Sequence, residues 1–195
     1  MFPEFLETVG AWVQVLGTLI SASGLTIIVL EDDENSLEGN SLTLIGNGVE
    51  AFGNSIQAIG RTKKSVGEDV EGILGAWFQS AGNITNSKAS YLIISGHEVE
   101  GLKLDILGDS IQSIGAFFES VSLAESDLLN AEFASQGELI QSLGAMIEAM
   151  GVLSILKDEV DEGTQIQAFG SYAQLAGATM TAIAFTKDFL HKDQQ

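Results

Sequence analysis

The chain has 195 residues, no cysteine, and 27 acidic against eight basic side chains, for a formal net charge of −19. Without cysteine there is no disulfide and no thiol for metal or redox chemistry. So acidic a chain lacks the clustered Lys and Arg that a phosphate backbone requires, which excludes nucleic acid as a partner and disfavours anionic membrane surfaces.

The first predicted helix covers residues 3–30. Pro3 suits a first helical turn, and the opening residues lack the basic region of a signal peptide. Thr8 to Leu30 is uncharged over 23 residues, long enough to cross a bilayer. Gln14 in its middle and the lack of a flanking basic cluster favour a buried helix of a soluble, cytoplasmic bundle, with a membrane span as the alternative. The acidic turn Glu31-Asp32-Asp33-Glu34 leads to a second helix over 37–61. The polar stretch from Arg61 to Asp69 precedes a third over 66–90, and the region around Gly96-His97 precedes a fourth over 98–122. A fifth over 126–156 and a sixth over 160–187 complete the set, the latter uncharged from Gly163 to Thr186 yet rich in Gln and Thr. Short turns make neighbours antiparallel. The expected fold is all-α, six antiparallel helices as three helical hairpins in one helical-repeat domain, residues 1–195.

Eighteen of the 22 glycines fall into six runs of strict seven-residue spacing. The candidate helix-packing positions are Gly10 and Gly17, then Gly46, Gly53 and Gly60, then Gly75 and Gly82, then Gly108 and Gly115. Gly137, Gly144 and Gly151, then Gly163, Gly170 and Gly177, continue the series. Glycine inside a helix costs about 0.8–1 kcal/mol relative to alanine. So many of them imply an offsetting gain, and the expected one is close backbone approach along a glycine seam.

Written from each glycine the unit reads Gly-x-x-apolar-Gln/Glu-small-apolar, as in Gly53-Asn-Ser-Ile-Gln-Ala-Ile-Gly60 and Gly108-Asp-Ser-Ile-Gln-Ser-Ile-Gly115. Copies at 53, 108 and 163 are 55 residues apart, a length that suits one hairpin module. With glycine at heptad position a, the apolar residues fall at d and g and the Gln/Glu column at e. That column comprises Gln14, Glu50, Gln57, Gln79, Gln112, Glu119, Gln141, Glu148, Gln167 and Gln174, and reads as a boundary column beside a d/g core. The unit Gly10-Ala-Trp-Val-Gln-Val-Leu-Gly17 and its copies resemble repetitive bacterial proteins of unknown function from spore-forming bacilli. That resemblance implies a Gram-positive intracellular or spore-related setting and no activity.

Catalytic motifs are lacking. His97 and His191 do not sit three residues after a Glu, as a di-iron bundle requires, so no metal is expected at Glu50, Glu119 or Glu148. Gly60-Arg-Thr-Lys-Lys-Ser lacks the first glycine of a phosphate loop, and Asn83-Ile84-Thr85 is a sequon inside a helix expected to be buried. No cofactor, metal or catalytic residue is expected. The sequence points to a non-enzymatic scaffold that associates with itself, the alternative being an amphiphilic protein that meets or enters membrane lipid.

Overall fold

A computed structural model describes residues 3–65 and 69–192. It is all-helical: α1 Pro3–Glu31, α2 Leu37–Ser65, α3 Val70–Ile94, α4 Glu98–Ala124, α5 Ala131–Ile155 and α6 Val160–Lys192. The expected start of the third helix at 66 lies outside the described residues. The fifth helix begins at Ala131, not 126, because the turn before it is pinned: Asn130 N donates to Asp188 Oδ1 at 3.2 Å, and Leu128 packs on a cluster around Leu123 and Phe185. The sixth extends to Lys192. Asp32, Gly96 and Asp158 turn the chain after α1, α3 and α5 with positive φ of 54°, 81° and 67°, a usual way to end a helix. Asp32 shares a hydrogen bond with Asp161, which pushes its carboxyl above the usual carboxylate range.

Each helix packs on its two neighbours in sequence, and α6 packs back on α1. The result is a closed ring of three hairpins around a central axis. Glycine lines the contact within each hairpin. The facing pairs are Gly10–Gly53, Gly17–Gly46 and Gly24–Gly39, then Gly75–Gly115 and Gly82–Gly108, then Gly137–Gly177, Gly144–Gly170 and Gly151–Gly163. A Cβ on either member would lie within 2.9 Å of the other's carbonyl oxygen. Gly101 faces Ala89 in the same way, and Gly60 faces Pro3. By contrast a Cβ on Gly48, on the outside of α2, would find only Ser87 Oγ at 3.9 Å. Gly48→Ala is therefore expected to raise the thermal midpoint, corresponding to a gain of about 0.5–1 kcal/mol.

Between hairpins the small f residues take over. Ser113 Oγ donates to Ser142 O and Ser142 Oγ to Ser113 O, both at 2.9 Å, across α4 and α5. Ser80 Oγ reaches Ala51 O at 3.0 Å from α3 to α2. Small hydroxylic residues hold helices together in this way where water does not compete.

The pairings also give the repeat its length. Gly10, Gly75 and Gly137 are equivalent, as are Gly53, Gly115 and Gly177, so corresponding residues are separated by 62 or 65 positions. The 55-residue spacing of 53, 108 and 163 differs from 62 by one heptad, and it places those glycines at three successive heights along the axis. The three hairpins are thus related by an approximate three-fold axis, with one heptad more between equivalent positions than the motif copies suggest.

Candidate functional site: a polar axis inside an apolar shell

Starting from glycine at 0°, successive heptad positions place e, b and f on the same side of a helix, and c, g and d on the other. Because glycine at a fixes which side meets the neighbouring helix, e and b turn toward the axis. The expected arrangement is reversed. The Gln/Glu column is the interior, and the d/g residues are not a core. Gln14, Gln79 and Gln141 are each 1% exposed, whereas Leu16 is 56%, Phe52 63% and Phe169 66% exposed.

The axis is filled by hydrogen-bonded layers. Gln14 Nε2 donates to Gln141 Oε1 at 2.6 Å and to Gln79 Oε1 at 3.2 Å, joining equivalent positions of all three hairpins. Gln57 Nε2 donates to Gln14 Oε1 at 2.9 Å. Toward the α1 N-terminal end, Gln79 Nε2 reaches Glu119 Oε1 at 2.8 Å and Glu138 Oε2 at 3.0 Å. Buried Arg61 joins this group, 3.1 Å from Glu119 and 3.6 Å from Glu7, with Asp69 at 3.7 Å. Lys64 meets Glu7 at 3.0 Å at the mouth of that end. Replacing the central amide by an isosteric apolar group strands its partners. Gln14→Leu is expected to lower stability by about 1–3 kcal/mol, read as a lower thermal midpoint, despite leucine's hydrophobicity.

The opposite half of the axis is different in charge. Gln112 Nε2 donates to Gln174 Oε1, and Gln174 Nε2 to Glu148 Oε1, both at 2.6 Å. Ser21 Oγ donates to Glu50 Oε1 at 3.0 Å, Asn86 Nδ2 to Asp109 Oδ1 at 2.7 Å, and Gln167 Nε2 to Asp105 Oδ2 at 3.2 Å. All of these but Asp109 line a cavity of about 40 Å³. Ile28, Ile93 and Ile155 line it as well, and Ile93 and Ile155 pack with Leu102 and Val152 at that end of the ring.

Outside, the shell is apolar on every helix. On α4 the outer face between Lys103 and Glu125 carries Leu107, Ser110, Ile114, Phe117 and Val121. That stretch of about 22 residues rises about 33 Å, close to the ~30 Å hydrocarbon core of a bilayer. The corresponding outer face of α6 runs from Gln165 to Lys187 through Phe169, Tyr172 and Met180. Outer hydroxyls are satisfied by their own helix: Ser23 Oγ, Thr85 Oγ1 and Ser110 Oγ donate to the carbonyls of Leu19, Ala81 and Ile106 at 2.7–2.8 Å. Trp12 Nε1 donates to Thr186 Oγ1 at 2.9 Å.

His97 lies in an exposed turn before α4, and among the described residues no histidines or carboxylates converge as a metal-holding group. Asn83 of the sequon is fully buried. By length and composition two helices, α1 and α5, are apolar enough to cross a membrane. The other described helices carry more polar residues on their inner columns.

Residues 5–182 match a family of unknown function (DUF6944). The chain belongs to that family. No curated protein and no solved structure matches it.

Proposed function

We propose that this is a membrane-inserted protein without enzymatic activity, a six-helix barrel standing across the bilayer with its polar axis shielded from lipid. One observation carries the reading: on all six helices the large apolar side chains face outward while amides and carboxylates face inward. A water-soluble domain arranges these the other way, and rarely exposes a contiguous apolar patch beyond a few hundred Å². A helix is the element that meets lipid without unpaired backbone groups, and the outer hydroxyls bonded to their own carbonyls fit the same environment. Lipid is favoured over further copies of the chain because the apolar band encircles the ring, and all the glycine pairs described are used within it. The formal charge of −19 does not oppose insertion, because outside the axis the charged residues lie within about two turns of the helix ends.

The test is co-flotation with lipid vesicles followed by an alkaline carbonate wash. The expected result is a protein that floats with the vesicles and stays after the wash. A monodisperse protein in detergent-free buffer that leaves vesicles untouched would overturn the reading.

A further inference from the structure

Four carboxylates, Glu50, Asp105, Asp109 and Glu148, stand in the half of the barrel nearer the α1 C-terminus. Glu50, Asp105 and Glu148 line the 40 Å³ cavity together with Glu34, Asn86 and Gln112, Asp109 stands behind Asn86, and no Lys, Arg or His lines it. The partners described for all four are neutral donors: Ser21, Gln167, Asn86 and Gln174. Among the described residues the ion pairs lie at the other end, around Arg61, Lys64 and Lys192. Taking ionised carboxylates out of water is costly unless a counter-charge replaces the lost hydration or a proton neutralises them. The other half of the axis meets that requirement with Arg61. Among the described residues no Lys or Arg lines the cavity of this half; Lys88 and Lys103 are exposed on its outside.

A second observation points the same way. Asn86, which lines the cavity and is 3% exposed, leaves its Oδ1 with no hydrogen-bond donor, and its partner Asp109, 1% exposed and just behind the cavity wall, leaves Oδ2 without one although Asp105, Glu148 and Glu50 are its carboxylate neighbours. Buried amide and carboxylate oxygens without donors, among three further carboxylates, make a place for a positive ion.

We propose that this cavity binds an alkali cation, Na⁺ or K⁺, held by carboxylate and amide oxygens and one or two waters. The donor set is all oxygen, which suits hard cations. The carboxylates are interleaved with amides and hydroxyls, and among the described residues no three of them converge on one point; Ca²⁺ and Mg²⁺ call for such a carboxylate-rich shell, so a singly charged ion fits better. A volume of about 40 Å³ holds the ion with at most a water or two, since one water needs roughly 10–15 Å³ by this measure. The glutamine layer of Gln14, Gln79 and Gln141 closes the axis on one side, and Ile28, Ile93 and Ile155 line the cavity as an apolar rim. The site goes beyond the membrane reading and stands on the interior alone.

The experiment is thermal unfolding, followed by circular dichroism, of the full chain in detergent at equal ionic strength of sodium, potassium or choline chloride. A cation that binds the folded state raises its midpoint by mass action. The expected result is a midpoint several degrees higher in Na⁺ or K⁺ than in choline. Glu148→Gln and Asp105→Asn, which keep the shape of the side chain, are expected to melt higher than wild type in choline and to lose the alkali effect. Glu132→Gln, on the outside of α5, is expected to keep it. Equal wild-type midpoints in all three salts would overturn the proposal without need of any variant, as would an alkali effect that survives in both interior variants. Neither result depends on vesicle flotation, so the two readings fail separately.

Discussion

Alanine at Gly53, Gly144 or Gly170 is expected to destabilise the barrel by about 1–3 kcal/mol at each site, although alanine is the better helix former. The physical reason is backbone. A Cβ on Gly53 would lie 2.7 Å from Gly10 O and 2.6 Å from Gln14 N; one on Gly144 would lie 2.7 Å from Gly170 O. Neither neighbour is the far end of a flexible side chain, so relief requires the two helices of the hairpin to separate. Separation would also lengthen the hydrogen bonds of the axis, since Gln14 and Gln174 sit one turn from these glycines. Leucine at the same positions is expected to cost more than alanine. Thermal midpoints in detergent check this against Gly48→Ala, the same substitution on the outer face, where the sign is expected to reverse. Equal effects at Gly48 and Gly53 would show that the seam is not what sets the cost.

A charge at the middle of the shell is the second large effect. Leu143 is 50% exposed and sits beside Gly144, half-way along α5; Phe169 occupies the same place on α6. An arginine at the centre of a membrane helix costs about 2.5–3.5 kcal/mol. Leu143→Arg and Phe169→Arg are therefore expected to cut the vesicle-bound fraction sharply, and together more than singly. Gln136→Arg, near the end of the same α5 face, is expected to change it little. On a water-exposed surface all three substitutions would fall within about 0.5 kcal/mol of neutral. Vesicle flotation of the four proteins separates these cases, and an unchanged bound fraction for Leu143→Arg would speak for a surface that meets water.

The helices and their antiparallel hairpins were legible because a seven-residue glycine period admits little other than helix, and the breaks at Glu31–Ser36 and around Gly96 are strongly polar. The glycine pairs themselves follow from that period. The inside was misassigned by the heptad pattern. Large apolar residues at d and g ordinarily mark a core, and a Gln column beside them ordinarily marks its boundary. The signal that decides the matter lies in the charges. The carboxylates in the body of the helices, namely Glu50, Asp105, Asp109, Glu119, Glu138 and Glu148, all fall at e or b, and the exposed Lys103 and Lys88, at c and g, lie within two turns of a helix end. A face that meets water carries charges, so a helix whose charges share the glycine side has its wet side inward. The closure of the ring was not legible. Nothing in the sequence of α1 or α6 says that they meet, and the contact rests on small residues such as Ala182 and on Trp12 bonded to Thr186. Nor was the true repeat length, since the motif copies at 53, 108 and 163 lie one heptad out of step with the hairpins.

Because the chain has no cysteine, single cysteines report position without background. The most direct test of a barrel with its apolar side outward places one each at Leu107, Ile114 and Leu143 on the shell and at Lys63 and Lys157 on the ends. Each is spin-labelled in vesicles, and its accessibility to oxygen is compared with that to a water-soluble paramagnetic nickel complex. The expected result is high oxygen and low nickel accessibility at Leu107, Ile114 and Leu143, with the order reversed at Lys63 and Lys157. Nickel accessibility at Ile114 or Leu143 as high as at Lys63 would contradict a lipid-facing shell.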